Sequence, residues 1–509
     1  MGIATTTAVS LVGLDGHMVQ VQAHLSATVP GFTVVGLPDA ALSESRDRVR
    51  AAVTSTGLTW PVRKITVNLS PAGLRKRGSG YDLAVAVSVL AGAGEIPAGQ
   101  VDRVVHIGEL GLDGRVHPVR GVLPAVAAAV EAGFERVVVA AADAEEARLV
   151  PGASVVGVAS LAEAVVLHGG DDKLVRGVEP VRKEPAGTSR RSAGDLSDVV
   201  GQSDARRALE IAAAGGHHLF LVGPPGAGKT MLASRLPGIL PDLTDTEAVE
   251  VTAVHSVAGS FDPAGGLIRR PPYEDPHHTA TAAAVIGGGS GIPRPGAVTR
   301  AHRGVLFLDE AAEFRPSVLE TLRQPLERGE LTVHRSGGSV RYPARFQMVL
   351  AANPCPCGQA IGKGLRCTCT PMMRRRYLGR LSGPLLDRVD LQVDVLPVDP
   401  AERAAGPGES TAVVAQRVLA ARQAARDRLW GTGWTTNAEI PGAWLRERVE
   451  PGGKIDQIVT TALSSGLLSL RGVDRVLRVA WTLADLHGKS SPGPDEVNEA
   501  VALRGGPRA

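Results

Sequence analysis

The sequence predicts an α/β protein in three units, and three observations carry that prediction. Between residues 196 and 400, apolar runs of strand length alternate with helical stretches, the pattern of a mostly parallel sheet covered on both faces. Beyond residue 400 the strands stop, and apolar residues recur at three- and four-residue intervals, which predicts helices alone. Residues 168–195 are charged and poor in large apolar side chains, as a linker is, and they set apart an N-terminal unit of α/β or α+β type. A chain of 509 residues is too long for one core and suits domains of roughly 100–200 residues. The expected division is 1–167, a linker 168–195, a core 196–400 and a helical domain 401–509.

In the first unit, short β-branched runs alternate with polar residues over 5–35, and Gly31-Phe32-Thr33-Val34-Val35-Gly36 reads as a strand closing into a turn. Residues 40–55 have helical spacing, Ile65-Thr66-Val67-Asn68-Leu69 returns to strand, and 83–91 is helical again. In the core, 219–222, 305–308 and 348–352 are the clearest buried strands. Helices are expected over 413–429, 455–467 and 473–486.

Composition bounds the function. With 55 Lys+Arg against 52 Asp+Glu, the net charge of +3 gives no global attraction to nucleic acid or an acidic membrane, so any polyanion must meet a local basic surface. The four cysteines all lie between Cys355 and Cys369, which excludes a secreted disulfide framework and points to a reducing compartment. No basic leader and no window of roughly 18 apolar residues is present, so the expectation is a cytoplasmic protein with no membrane partner.

Gly223-Pro224-Pro225-Gly226-Ala227-Gly228-Lys229-Thr230 fits G-x-x-x-x-G-K-[ST] and stands between an apolar strand and a helix. The mechanism requires that context. Glycines let backbone N–H groups curl round phosphates, the helix N-terminus adds its positive end, Lys229 reaches the β- and γ-phosphates of ATP, and the Thr230 hydroxyl holds Mg²⁺. A second apolar strand ends in Asp309-Glu310. Asp309 would orient Mg²⁺ and Glu310 would polarise the attacking water, since in-line displacement needs both a metal and a nucleophile. Met348-Val349-Leu350-Ala351-Ala352-Asn353 is a third strand whose terminal amide is placed to contact the γ-phosphate or that water; the alternative is a turn opener. Cys355, Cys357, Cys367 and Cys369 put four thiols on one loop, the number that fills a structural Zn²⁺ site; free or redox-active thiols are the alternative. Arg374-Arg375-Arg376 follows, a basic run suited to DNA, to a subunit contact or to solvent.

Together the loop, the Asp309-Glu310 strand, the Asn353 strand and Ser382-Gly383-Pro384-Leu385-Leu386-Asp387-Arg388-Val389-Asp390 resemble the Mg-chelatase-like branch of AAA+ ATPases, and more narrowly the YifB/ComM family. Gly201-Gln202, Pro276-His277-His278-Thr279 and Asn353-Pro354-Cys355-Pro356-Cys357-Gly358 carry the resemblance further. It implies an AAA+ core with a helical lid, a hexameric ring, and Arg388 as an arginine finger in the neighbouring subunit's site; the bland alternative is an ion pair with Asp387 or Asp390. Arg471 resembles the lid's second sensor arginine, with Arg475 and Arg478 as rivals. The family also carries an insertion, here around residues 281–294, and a hairpin before the first sensor, here 330–341. His334, Arg335 and Arg341 of that hairpin are the candidates for DNA backbone contact. Lys76-Arg77-Gly78-Ser79-Gly80 and the run Gly108 to Val119 look like a Lon protease domain, but the serine position falls on Gly80 and the lysine position on Leu123, so no proteolysis is expected.

The resemblance implies an ATP-dependent DNA translocase acting in recombination or natural transformation. The rival readings are a metal-insertion ATPase of the Mg-chelatase I type and an ATP-regulated scaffold or protease-like protein. With aromatic residues at only 3%, a base-stacking platform is disfavoured, so DNA contact should be backbone-directed.

Overall fold

A computed structural model describes residues 2–36, 44–74, 76, 78–174, 177–183, 194–288, 293–335, 338–360, 366–398, 402 and 406–504, excepting the side chains of 334, 335 and 338. The sequence expectations for Arg77, Gly289, the hairpin turn 336–337, the side chains of His334 and Arg335, and part of the linker lie outside the described residues.

The N-terminal unit is built on a seven-stranded sheet in the order Gly31–Val35, Lys64–Ser70, Asp15–Ser26, Gly2–Val12, Val104–Ile107, Arg136–Ala140, Ser154–Val158. Its first two strands form a long antiparallel hairpin that pairs Gly2 with Leu25 and Val12 with Asp15. Val19, Val21, Ala23 and Leu25 are fully buried while their sequence neighbours are not, the period-two signature of a strand with one covered face. Helix Asp82–Ala93, apolar almost all round, runs beneath that face and is buried along nearly its whole length.

The core sheet has five strands in the order Tyr273–Glu274, Val305–Leu308, Gln347–Ala352, Leu219–Val222, Leu391–Asp394, and every pairing is parallel. The three central strands are buried at every residue, which is why the sequence shows apolar runs there rather than alternation. Parallel strands need crossovers, so all five C-terminal ends face one edge and gather the functional loops there. The α/β architecture that the sequence predicts is present, with helices Thr411–Arg428, Lys454–Ser464, Leu470–Leu486 and Pro494–Arg504 following it.

A buried polar network joins lid to core. Asp390, just ahead of the last strand, accepts from the His218 backbone N–H at 3.0 Å and pairs with Arg475 of helix Leu470–Leu486 at 2.9 Å. His217 stands 3.6 Å from the same carboxylate and 2.7 Å from the Thr482 hydroxyl. Burial opposes ionisation of Asp390, but Arg475, His217 and His218 together hold it well below the ordinary carboxylate range.

Among the described residues, the first unit touches the core at two main places. Helix Val122–Glu131 packs on helix Asp245–Ala258, where the Gly121 N–H donates to the Ser256 carbonyl at 3.2 Å. Lys183, within the stretch read as a linker, bridges the buried Asp143 and Glu146 at 3.0 and 2.7 Å, and His168, its first residue, is buried against His106. The second contact is the turn of the first hairpin. It rests on the antiparallel pair Glu330–Arg335 and Gly338–Pro343, with Val12 and Leu14 packed on the cluster that holds Val340 and Tyr342. A Cβ at Gly13, whose φ is +72°, would lie 2.9 Å from the Arg341 carbonyl oxygen. No described helix is long and apolar enough to cross a membrane.

Candidate active site

Strand Leu219–Val222 delivers the chain into the loop 223–228, and helix Lys229–Ile239 leaves it. Gly226 and Gly228 have φ of 77° and 93°, the left-handed values that let successive N–H groups turn inward. The cavity so formed is about 440 Å³ and is lined by Gly226, Lys229, Thr230, Asp309, Glu310 and Asn353 among others. These groups come from three neighbouring strand ends.

Lys229 Nζ donates to the carbonyls of Gly223 and Pro224 at 2.7 and 2.8 Å and to Asn353 Oδ1 at 3.1 Å. Burial lowers its pKa from the ordinary lysine value, with Asp309 and Glu310 pulling the other way. Thr230 Oγ1 donates to Asp309 Oδ2 at 2.6 Å, so the two Mg²⁺ candidates already face each other. The Glu310 N–H donates to the other Asp309 oxygen at 2.9 Å, and Glu310 itself sits at φ 50°, a strained value for a residue with a Cβ. Its carboxylate Oε2 lies 2.9 Å from His278 Nδ1. The sequence picked out His278 only as part of a motif; the pairing with a catalytic candidate is new.

The four cysteines converge directly beyond Asn353. All four Sγ atoms lie within 4.8 Å of one another, with Cys355–Cys357 at 3.4 Å and Cys367 at 3.7 Å from both. A tetrahedral site with metal–sulfur bonds of about 2.3 Å has edges of about 3.8 Å, so the donor set fits a closed metal site. Backbone N–H groups of Gln359 and Thr368 lower the Cys357 thiol from its ordinary value, whereas burial pushes Cys355 up. The loop presses on the nucleotide site. A Cβ at Gly358 would come 2.5 Å from Pro225 Cδ, so there is no slack between cysteine loop and phosphate loop.

Arg388 and Arg471 are elsewhere. They line a second cavity of about 760 Å³ together with Gly304, His218 and Gln347, residues at the starts of the strands and therefore at the opposite edge of the sheet. Arg388 pairs with Glu327, not with Asp387 or Asp390, and also donates to the Pro384 carbonyl. Arg471 is largely exposed and 4.0 Å from Asp387, Arg475 is held by Asp390, and Arg478 donates to the Ile440 carbonyl at 2.7 Å.

The chain matches three family descriptions: "Subunit ChlI of Mg-chelatase" over residues 21–143, "Magnesium chelatase, subunit ChlI" over 195–403, and "Magnesium chelatase, subunit ChlI C-terminal" over 408–504. It is 38% identical to competence protein ComM of Haemophilus influenzae, covering 99% of this chain and 98% of that one. This chain belongs to the YifB/ComM family of Mg-chelatase-like AAA+ proteins. An uncharacterised Mycobacterium tuberculosis protein, Rv2897c, is 53% identical over 99% of both chains. Lon protease 2 of Bacillus subtilis is 35% identical over 145 residues, a quarter of each chain, which marks the N-terminal region of this family member as Lon-like. Of the two positions that the resemblance assigns to a Lon-type nucleophile and base, Gly80 has no side chain and Leu123 is buried in apolar surroundings. The neighbouring Ser79 hydroxyl donates to the Glu109 carboxylate.

Proposed function

We propose that this protein is an ATP-driven DNA translocase of the ComM type, a cytoplasmic hexamer that moves branched DNA during recombination or natural transformation. One observation carries the reading: three adjacent strand ends bring the groups for phosphoryl transfer round one cavity, in a chain that resembles a competence protein along its whole length. Thr230 and Asp309, which face each other here, would hold Mg²⁺, and the ion would supply charge neutralisation at the phosphates. Lys229 exchanges its two loop carbonyls for phosphate oxygens, a short swing that keeps it beside Asn353. Glu310 takes the proton of the attacking water, and Asn353 orients that water or the γ-phosphate.

Arg388 supplies the finger for the next subunit in the ring. Its place at the far edge of the sheet supports this, since it cannot serve the cavity of its own chain. Arg471, exposed beside it, is the lid's sensor arginine. Cys355, Cys357, Cys367 and Cys369 would hold Zn²⁺, which would fix the loop behind the phosphate cradle. DNA meets the hairpin at Arg341, which is exposed, and at His334 and Arg335, through backbone phosphates and without base reading. The family descriptions name magnesium chelatase, but the Lon-like region and the cysteine loop favour the ComM branch over metal insertion.

The test is ATP turnover of the purified full chain with and without single-stranded or branched DNA at low salt. Stimulated turnover, with binding that weakens steeply as salt rises, is expected. Unchanged turnover together with no DNA binding would remove the translocase and leave an ATPase acting on something else.

A further inference from the structure

We propose that helix Pro371–Leu378 is a second DNA-binding surface, where Arg375 and Arg376, with Arg366 of the cysteine loop, hold backbone phosphates. The proposal rests on the translocase reading above and extends its DNA contact beyond the hairpin. The first observation is one of sequence. Residues 331–386 contain no Asp or Glu in a chain that has 52 of them, yet they carry nine of its 55 Lys and Arg. Solvated surfaces mix both signs, whereas a stretch of one sign in a nearly neutral chain is the local basic field that a polyanion requires.

The fold gathers that stretch on one side of the core. Val340 and Tyr342 of the hairpin share a buried cluster with Tyr377 of the helix and with Leu306 and Leu350 of the sheet. Side chains alternate across a sheet, and the neighbouring Val305 and Val349 belong instead to the cluster that holds the C-terminal helices. Hairpin and basic helix therefore stand on the same face, away from the lid. The helix is firmly held. Arg374 donates to the Cys369 carbonyl at 3.3 Å, and Arg380, just past the helix, donates to the Glu313 carboxylate at 2.8 Å. Arg366, Arg375 and Arg376 are exposed instead and form no ion pair with any described residue. Beside them Met372 and Met373 are 79% and 49% exposed, flexible thioethers that can lie along sugars without reading bases. A protein partner would have to bring a matching acidic patch to this face. Phosphates supply that charge at every nucleotide, and continuity with the hairpin favours the polymer.

The experiment titrates the full chain with a fluorescein-labelled single-stranded DNA of mixed sequence over a series of salt concentrations, reading anisotropy. Each lost phosphate contact lowers the slope of log affinity against log salt by about 0.7, so the double variant Arg375→Ala, Arg376→Ala should lose about 1.4 and bind more weakly at low salt. Arg341→Ala, on the hairpin, should lose about 0.7 and serves as the reference. The double variant Arg375→Lys, Arg376→Lys keeps both charges and should keep the wild-type slope, which separates lost charge from a disturbed fold. An alanine pair with the wild-type slope would overturn the proposal, as would a lysine pair that loses as much as the alanine pair. An alanine pair that keeps the slope but loses self-association in sedimentation would overturn it too, giving the face to a second copy of the chain. If the wild type binds no DNA at all, the translocase reading fails first, so the two failures are distinguishable.

Discussion

Where the strands of the core sheet end, backbone N–H groups, Lys229 and two acids surround a cavity of about 440 Å³; where the strands begin, Arg388, Arg471 and Arg475 line one of about 760 Å³. The first holds the parts of a phosphate site but no finger. The second holds finger candidates but no phosphate loop. A parallel sheet makes this inevitable, because its two edges receive different ends of every strand and cannot exchange side chains. Two copies placed edge to edge would complete each other, and that is the physical content of the ring proposed above.

The sharpest way to break the comparison is Arg388→Ala. Turnover should fall about 10³–10⁵-fold while ATP binding survives, as steady-state kinetics and nucleotide binding would register; a fully active variant would make the second cavity irrelevant to hydrolysis. Asp390→Asn tests whether that cavity depends on the lid. Removing one partner of a buried ion pair costs about 3–5 kcal/mol, to be read as lost resistance to denaturant. Its pH dependence follows from the depressed carboxyl. The contribution is full above the unfolded value of about 3.9 and is lost as pH falls through the lower folded value, so the gap between variant and wild type should persist at neutral pH and close only in strong acid. The smallest expected effect belongs to the loop between the edges. Elemental analysis should find one zinc per chain, absent from Cys357→Ser, with a modest loss of ATP affinity through Gly358 and Pro225; metal-free wild type would leave four thiols and no site.

The convergence of the candidate phosphate site was legible because each part is local: a strand, a glycine-rich turn, a helix, and two more apolar runs ending in Asp309 and Asn353. Their convergence follows from parallel pairing, which buried runs predict. The Arg388 partner was not legible. The sequence offers Asp387 and Asp390 as neighbours, but Asp390 is taken by Arg475 and the two histidines, and Glu327 arrives from a helix far back in the chain. His278 escaped for the same reason, since spacing carries no signal for a contact between a loop and a strand end. Helix Pro494–Arg504 was not singled out within the helical domain because its apolar residues cluster at its C-terminal end rather than recurring along it; it is held by packing on Leu470–Leu486.

The turn at Gly13 bears on the Lon-like N-terminal region. Its backbone lies so close to Arg341 that the hairpin has no room to tilt in that direction on its own. The hairpin movement that the proposed translocase requires would therefore have to carry the N-terminal region along or shed it first.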